Sequence, residues 1–208
     1  MNIQSAYNNW SSTYDEDKNL TRDLDADIVR NEFCDSRFDS ILEVGSGTGK
    51  NTIFFSEIAK KVYALDFSER MISIAKEKVK AKNVAYTQTD ITKKWPIKNN
   101  SIDLITCNLI LEHIENLDFV FYETRRCLNK QGKLFINELH PYRQYEGKKA
   151  TFNKDGKTIE IDAFVHNISD FLNSAETYRF KFLKLSEFWQ ASDKNNLPRI
   201  LSLLFSKD

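Results

Sequence analysis

The sequence predicts an α/β fold, a mostly parallel sheet covered by helices on both faces. Three observations predict it. From Ser40 onward, short apolar runs alternate with amphipathic stretches in the order β-α-β-α. The first run enters Glu43-Val44-Gly45-Ser46-Gly47-Thr48-Gly49, with glycine at every second position. The second run, Val62-Tyr63-Ala64-Leu65-Asp66, ends in a carboxylate. A glycine-rich turn followed by an acid at the tip of the next strand is how such a sheet holds a nucleoside by its ribose. These residues point to an adenosine-containing cofactor.

Taken in order, residues 1–37 are polar and acidic, with aromatics at Tyr7, Trp10 and Tyr14. Their spacing puts all three on one face of a helix. A second helix begins within Asn19–Asp25, where Asp23 and Asp25 suit a helix N-terminus. Strands are expected at 41–45, 61–65, 84–88, 102–107 and 133–139, with helices near 51–59, 69–81 and 116–129. Ser68 can cap the free amides of the second of those helices. Pro96 interrupts the chain where a loop is expected. After Glu138 the pattern changes. The segment 142–166 carries charges, Gly147, Gly156 and two short β-like runs, 150–153 and 158–162, with Asp155-Gly156 suggesting a hairpin between them. A helix near 168–176, a strand at 177–186 and a last strand at 199–205 complete the sheet. The apolar Ile200–Phe205 stretch reads as an inner strand in preference to a dimer contact, and the chain as a monomer or homodimer.

At 208 residues the chain suits one well-buried domain. Thirty basic and thirty acidic residues cancel, so no overall field recruits nucleic acid or anionic membrane. Cys34, Cys107 and Cys127 lie far apart, show no metal-ligand spacing and read as reduced thiols. The N-terminus lacks a signal-peptide pattern, and no apolar run approaches the roughly 18 residues that span a bilayer. A cytoplasmic location is expected.

Spacing separates the candidate cofactors. A dinucleotide fingerprint would put its third glycine at Lys50, and a P-loop would need glycine at Val44 and a hydroxyl at Asn51. What remains, E-x-G-x-G-x-G, resembles the first motif of the class I S-adenosylmethionine-dependent methyltransferases, of the small-molecule, type 11-like kind. Leu65-Asp66-Phe67-Ser68 resembles the second motif and Gln88-Thr89-Asp90-Ile91 the third. Ser101-Ile102-Asp103-Leu104-Ile105 with Asn108 resembles the fourth, and Leu128–Leu134 the turn into the fifth strand.

That resemblance implies a Rossmann-like three-layer sandwich with a seven-stranded, mostly parallel sheet and an antiparallel last strand. It divides the chain into an N-terminal helical lid (1–37), a cofactor-binding core (38–140) and a substrate-side insertion with the final strands (141–208). Within the core, Gly45, Gly47 and Gly49 would wrap the methionine moiety, and Glu43 would hold the turn or the amino group. Asp66 would accept from the ribose hydroxyls. Phe67 and Met71 would flank the adenine, Asp90 and Ile91 would read its edge, and Asn108 would lie near the methyl group. Tyr14-Asp15 resembles the pair with which the family's N-terminal segment closes over S-adenosylmethionine.

The family has no universal catalytic motif. His140, at the mouth of the fifth strand, is the candidate for substrate contact and base. Tyr142, Arg143 and Tyr145 beside it would suit an anionic or aromatic substrate, and His113 and His166 are further substrate candidates. No metal is expected. The expected activity is methyl transfer to a small-molecule acceptor. The alternatives are an S-adenosylmethionine-binding module without catalysis and a nicotinamide-dependent oxidoreductase, the latter disfavoured by Lys50.

Overall fold

The computed structural model describes residues 3–154, 156–193 and 196–208. Two helices, α1 (Ile3–Trp10) and α2 (Leu20–Phe33), precede the sheet. Then follow β1 (Phe38–Val44), α3 (Lys50–Ile58), β2 (Ala59–Asp66), α4 (Glu69–Lys78), β3 (Val84–Gln88) and β4 (Ile102–Asn108). After these come α5 (Leu117–Cys127), β5 (Leu128–Leu139), α6 (Pro141–Tyr145), β6 (Thr151–Lys154) and β7 (Lys157–Glu160). The chain ends with α7 (Ile168–Thr177), β8 (Phe180–Phe188) and β9 (Ile200–Lys207).

The main sheet has seven strands in the order β3-β2-β1-β4-β5-β9-β8. Neighbours pair in parallel from β3 through β5, whereas β9 pairs antiparallel with both β5 and β8. This is the Rossmann-like sheet the sequence predicts. Ile200, Leu201, Leu203 and Phe205 are fully buried, as an inner strand requires.

The strands are apolar on both faces because both are covered. Alternation then sends neighbouring residues to opposite cores. Ile41, Val62, Leu104 and Phe135 join Val29 and Phe33 of α2 and Phe55 of α3. Leu42, Leu65, Ile105 and Leu134 join Val120 and Phe121 of α5 and Phe171 of α7 on the other side. The strand order reverses between β1 and β4, which opens a crevice beyond their carboxyl ends.

Helix boundaries follow their caps. The Asn19 side chain accepts from the amides of Thr21 and Arg22, and Ser68 accepts from Met71 N, as its position predicts. Several elements depart from expectation. Tyr14 lies beyond α1, so only Tyr7 and Trp10 share that helix. The helix expected to 129 stops at Cys127, and β5 starts at Leu128. β8 starts at Phe180, because Arg179 adopts φ 54° and ends the preceding turn. Helix α6, where Pro141 supplies a preset φ at the first turn, was not expected. The small hairpin forms from β6 and β7, although Asp155 lies outside the described residues. Cys107 and Cys127 are buried and Cys34 exposed. Among the described residues no helix is long and apolar enough to cross a membrane.

Candidate active site

The glycine loop leaves β1 at Val44 and is tied to the next strand, with the amides of Gly45 and Ser46 donating to Leu65 O at 2.8 and 3.0 Å. Gly45, Gly47 and Gly49 have φ of 78°, 52° and 82°, the left-handed region. Their surroundings differ. A Cβ on Gly45 would stand 2.7 Å from Ile110 Cγ1, and one on Gly49 would stand 2.9 Å from Val79 Cγ2. A Cβ on Gly47 would meet nothing within 4 Å. Packing therefore demands the outer two glycines, while the middle one faces open space.

Asp66 ends β2 and is 5% exposed. Its carboxylate accepts from Gly47 N at 2.8 Å and Ser68 N at 2.8 Å, which couples it to the loop. Burial raises its pKa to about 6. Glu43 is buried beneath the loop and accepts from the Thr52 hydroxyl of α3. Burial pushes its pKa up to about 8, so it is mainly a neutral acid at pH 7 that anchors α3.

Three cavities run along the carboxyl edge of the sheet. The first, about 530 Å³, is walled by Phe67, Asp90, Ile91, Ile110 and His113. The second, about 70 Å³, lies between the glycine loop, Asp66, Met71 and Asn108. The third, about 400 Å³, opens between Tyr7, Trp10, Tyr14, Glu112 and Arg143. The first and second share Gly45, Asp66, Phe67 and Ile110, and the second and third share Tyr7, Tyr14, Arg22 and Leu109. Leu109 turns the chain after β4 with φ 52°, a strained value for a bulky side chain, at the junction of the second and third cavities.

Residues around the middle cavity carry buried polar atoms that the protein leaves unbonded. Buried Arg22 Nε, Ser46 Oγ and Asn108 Oδ1 have no hydrogen-bond partner among the described residues, and all three residues line it. Unpaired buried polar groups are costly and need an explanation. The Nδ2 of Asn108 donates to Asp25, whose carboxylate also accepts from Asn51 and Asn137. Asp25 is thus a buried brace under the loop, not a solvated acid at a helix start. Its pKa is raised by burial, against the pull of those three amides.

Residues 3–15 roof the crevice. Gln4 donates to Phe67 O at 2.7 Å, the Ser68 hydroxyl to Asn8 Oδ1 at 2.6 Å, and the Thr48 hydroxyl to Asp15 at 2.8 Å. The Tyr7 hydroxyl meets His113 Nε2 at 2.7 Å. Tyr14 lies under the Arg22 guanidinium, 3.9 Å from ring centroid to Cζ, and burial pushes its phenol up to about 12.

The histidines are placed differently from expectation. His140 is fully buried. Its Nε2 meets Glu187 of β8 at 2.9 Å and its Nδ1 caps α6 by accepting from Tyr142 N, so both ring nitrogens are engaged. It lines none of the three cavities, so it is not placed to act as a base in them. His166 is spent on Ile114 O at 2.8 Å, and Tyr142 and Tyr145 point to solvent at 50% and 64% exposure. His113 lines the first cavity instead of the third, and burial lowers its pKa. Of the expected substrate residues, Arg143 alone borders the third cavity.

The sequence reading missed Glu112. It is buried, lines the third cavity, accepts a long 3.4 Å bond from Gln144, and stands 3.7 Å from His113 Nε2. Burial raises its pKa to about 7. It sits in the same Leu111–His113 turn that drew attention to His113.

The chain is similar to known methyltransferases in sequence and in fold. Residues 42–136 match the family described as a methyltransferase domain. A protein of Dictyostelium discoideum named as a methyltransferase is 27% identical over 168 residues, covering 81% of this chain and 57% of that one. The demethylmenaquinone methyltransferase of Lactococcus lactis is 31% identical over 150 residues, or 67% of this chain and 59% of that one. The chain thus spans less than two thirds of either relative. A solved structure of an S-adenosylmethionine-dependent methyltransferase from Listeria monocytogenes matches with a TM-score of 0.75 at 21% identity, covering 88% of this chain and 98% of that one. At that identity the likeness is one of fold.

Proposed function

We propose that this chain, a member of the class I S-adenosylmethionine-dependent methyltransferases, transfers the methyl group of S-adenosylmethionine to a small-molecule acceptor. The observation that carries the reading is the cluster of unbonded buried polar atoms on residues lining the middle cavity, beside a glycine with open space before it. A methionine head group carries an amine and a carboxylate. Asn108 Oδ1 can accept from the amine, while Ser46 Oγ and Arg22 Nε can donate to the carboxylate. Asp66 would hold the ribose hydroxyls, and Phe67, Asp90 and Ile91 the adenine in the first cavity.

The cofactor supplies an already activated sulfonium methyl group. The protein's part is to bring the acceptor into line and to keep water out. The third cavity adjoins the middle one through Tyr7, Tyr14, Arg22 and Leu109, which makes it the acceptor site. Residues 3–15 serve as a lid over both. Glu112, lining the acceptor cavity, takes the proton from an acceptor that arrives protonated, since a pKa near 7 leaves it half ionised at neutral pH. The balanced net charge supports a small acceptor over nucleic acid.

The test is incubation with methyl-labelled S-adenosylmethionine and a metabolite extract. Label moving into a small molecule supports the proposal. Cofactor binding with no transfer to any extract would instead favour a binding module, and tighter binding of NAD would overturn the cofactor reading.

A further inference from the structure

Granting that the third cavity is the acceptor site, we infer that its acceptor is a small oxyanion-bearing molecule, a carboxylic acid or a phosphorylated metabolite. The chain carries no net charge, yet Arg22, Arg143, Lys148, Lys149 and Arg199 all line this one cavity. Among the described residues Glu112 is the sole carboxylate lining it.

Nearby acids do not balance these cations. Asp193 alone serves both Arg143, at 3.0 Å, and Arg199, at 2.6 Å. Lys149 pairs with Glu160 at 2.6 Å. Neither Arg22 nor Lys148 has a carboxylate partner among the described residues. Arg22 is 8% exposed, and its terminal nitrogens go to the carbonyls of Tyr14 and Asp17. A cation kept this far from water without a counter-ion is unfavourable unless an anion joins it.

The cofactor's own carboxylate can answer Arg22 but not the other four cations. Of the five cations only Arg22 reaches the middle cavity, whereas Arg143, Lys148, Lys149 and Arg199 border the third alone. Trp10, Tyr14 and Leu139 add aromatic and apolar wall, a low-dielectric surface that strengthens the field on a bound anion. A volume of about 400 Å³ fits a metabolite, at the lower end of the roughly 300–1,000 Å³ of small-molecule pockets.

The experiment uses the full chain saturated with S-adenosylhomocysteine, titrated by calorimetry with inorganic phosphate, succinate and, as the neutral control, succinamide. Saturable binding of phosphate or succinate but not succinamide is expected, and the preferred anion identifies the oxyanion. Lys148→Glu should weaken that binding at least fivefold while leaving S-adenosylhomocysteine affinity unchanged; Lys148 is exposed, so the variant folds. Arg22→Gln should weaken both ligands. A protein that binds S-adenosylhomocysteine but neither anion, or a Lys148→Glu variant with unaltered anion affinity, overturns this inference alone. Failure of the wild type to bind S-adenosylhomocysteine overturns the function proposed above and this inference with it.

Discussion

The three loop glycines give separable predictions. Alanine at position 47 meets no atom within 4 Å, so its cost in the free protein is confined to holding φ 52°. A left-handed non-glycine residue costs about 1–2 kcal/mol, or roughly 2–8 °C in melting temperature for a chain of this size. Alanine at position 45 carries the same backbone cost and also drives its Cβ to 2.7, 2.9 and 3.0 Å from three atoms of Ile110. Overpacking of that kind adds about 1–3 kcal/mol, for a total loss of roughly 4–20 °C. Ligand reverses the emphasis. At a hundred times its Kd, S-adenosylhomocysteine should stabilise the wild type by about 2.7 kcal/mol. The methyl of Gly47→Ala would stand in the space before the loop and abolish most of that gain. Thermal denaturation of both variants, with and without ligand, makes the comparison. The reasoning fails if the two melt together in the free state, or if Gly47→Ala keeps the full ligand-induced shift.

Asp66→Ala should weaken S-adenosylmethionine binding at least tenfold, about 1.4 kcal/mol, in a folded protein. Unchanged affinity by calorimetry would remove the ribose assignment. Glu112→Gln should lower turnover about a hundredfold and flatten a pH–rate profile that in the wild type rises through pH 7, where the carboxyl ionises. A variant retaining that rise would exclude Glu112 as the proton acceptor. His140→Ala should cost about 1–3 kcal/mol of stability through the lost cap and the Glu187 bond, with turnover spared below the melting point; a folded variant without activity would return His140 to the site. Stability of the free protein should fall as pH rises from about 4.5 towards 8. Burial raises the carboxyls of Glu43 to about 8 and Asp66 to about 6. Across that window the folded state holds more protons than the unfolded one, so the unfolding free energy decreases with pH. A melting temperature climbing steadily to pH 8 would contradict the burial argument.

The sheet was legible because its strands are apolar runs that need cover on both faces, and because the glycines and Asp66 are adjacent to one another through β1 and β2. Local sequence carries both signals. The third cavity is different. Arg22 comes from α2, Arg143 from α6, Lys148 from the segment before β6 and Arg199 from the approach to β9, which lies beside β5; they meet only in the folded chain. Nothing in their spacing announces this. Histidine drew attention because its ordinary pKa lies near neutrality. Burial inverts that expectation in the Leu111–His113 turn, lowering His113 and lifting Glu112 to about 7. Asp25 was misread for a related reason. Its position in the sequence suits a helix start, but three asparagine amides from α3, β4 and β5 hold it inside.

A crystal structure of the chain with S-adenosylhomocysteine bound tests the central claim most directly. It should show the ribose hydroxyls on Asp66, the adenine between Phe67 and Ile91, and the amino-acid group bonded to Ser46 and Asn108, with the sulfur facing the cationic cavity. A ligand seated elsewhere, or one that leaves those buried atoms unbonded, would contradict it.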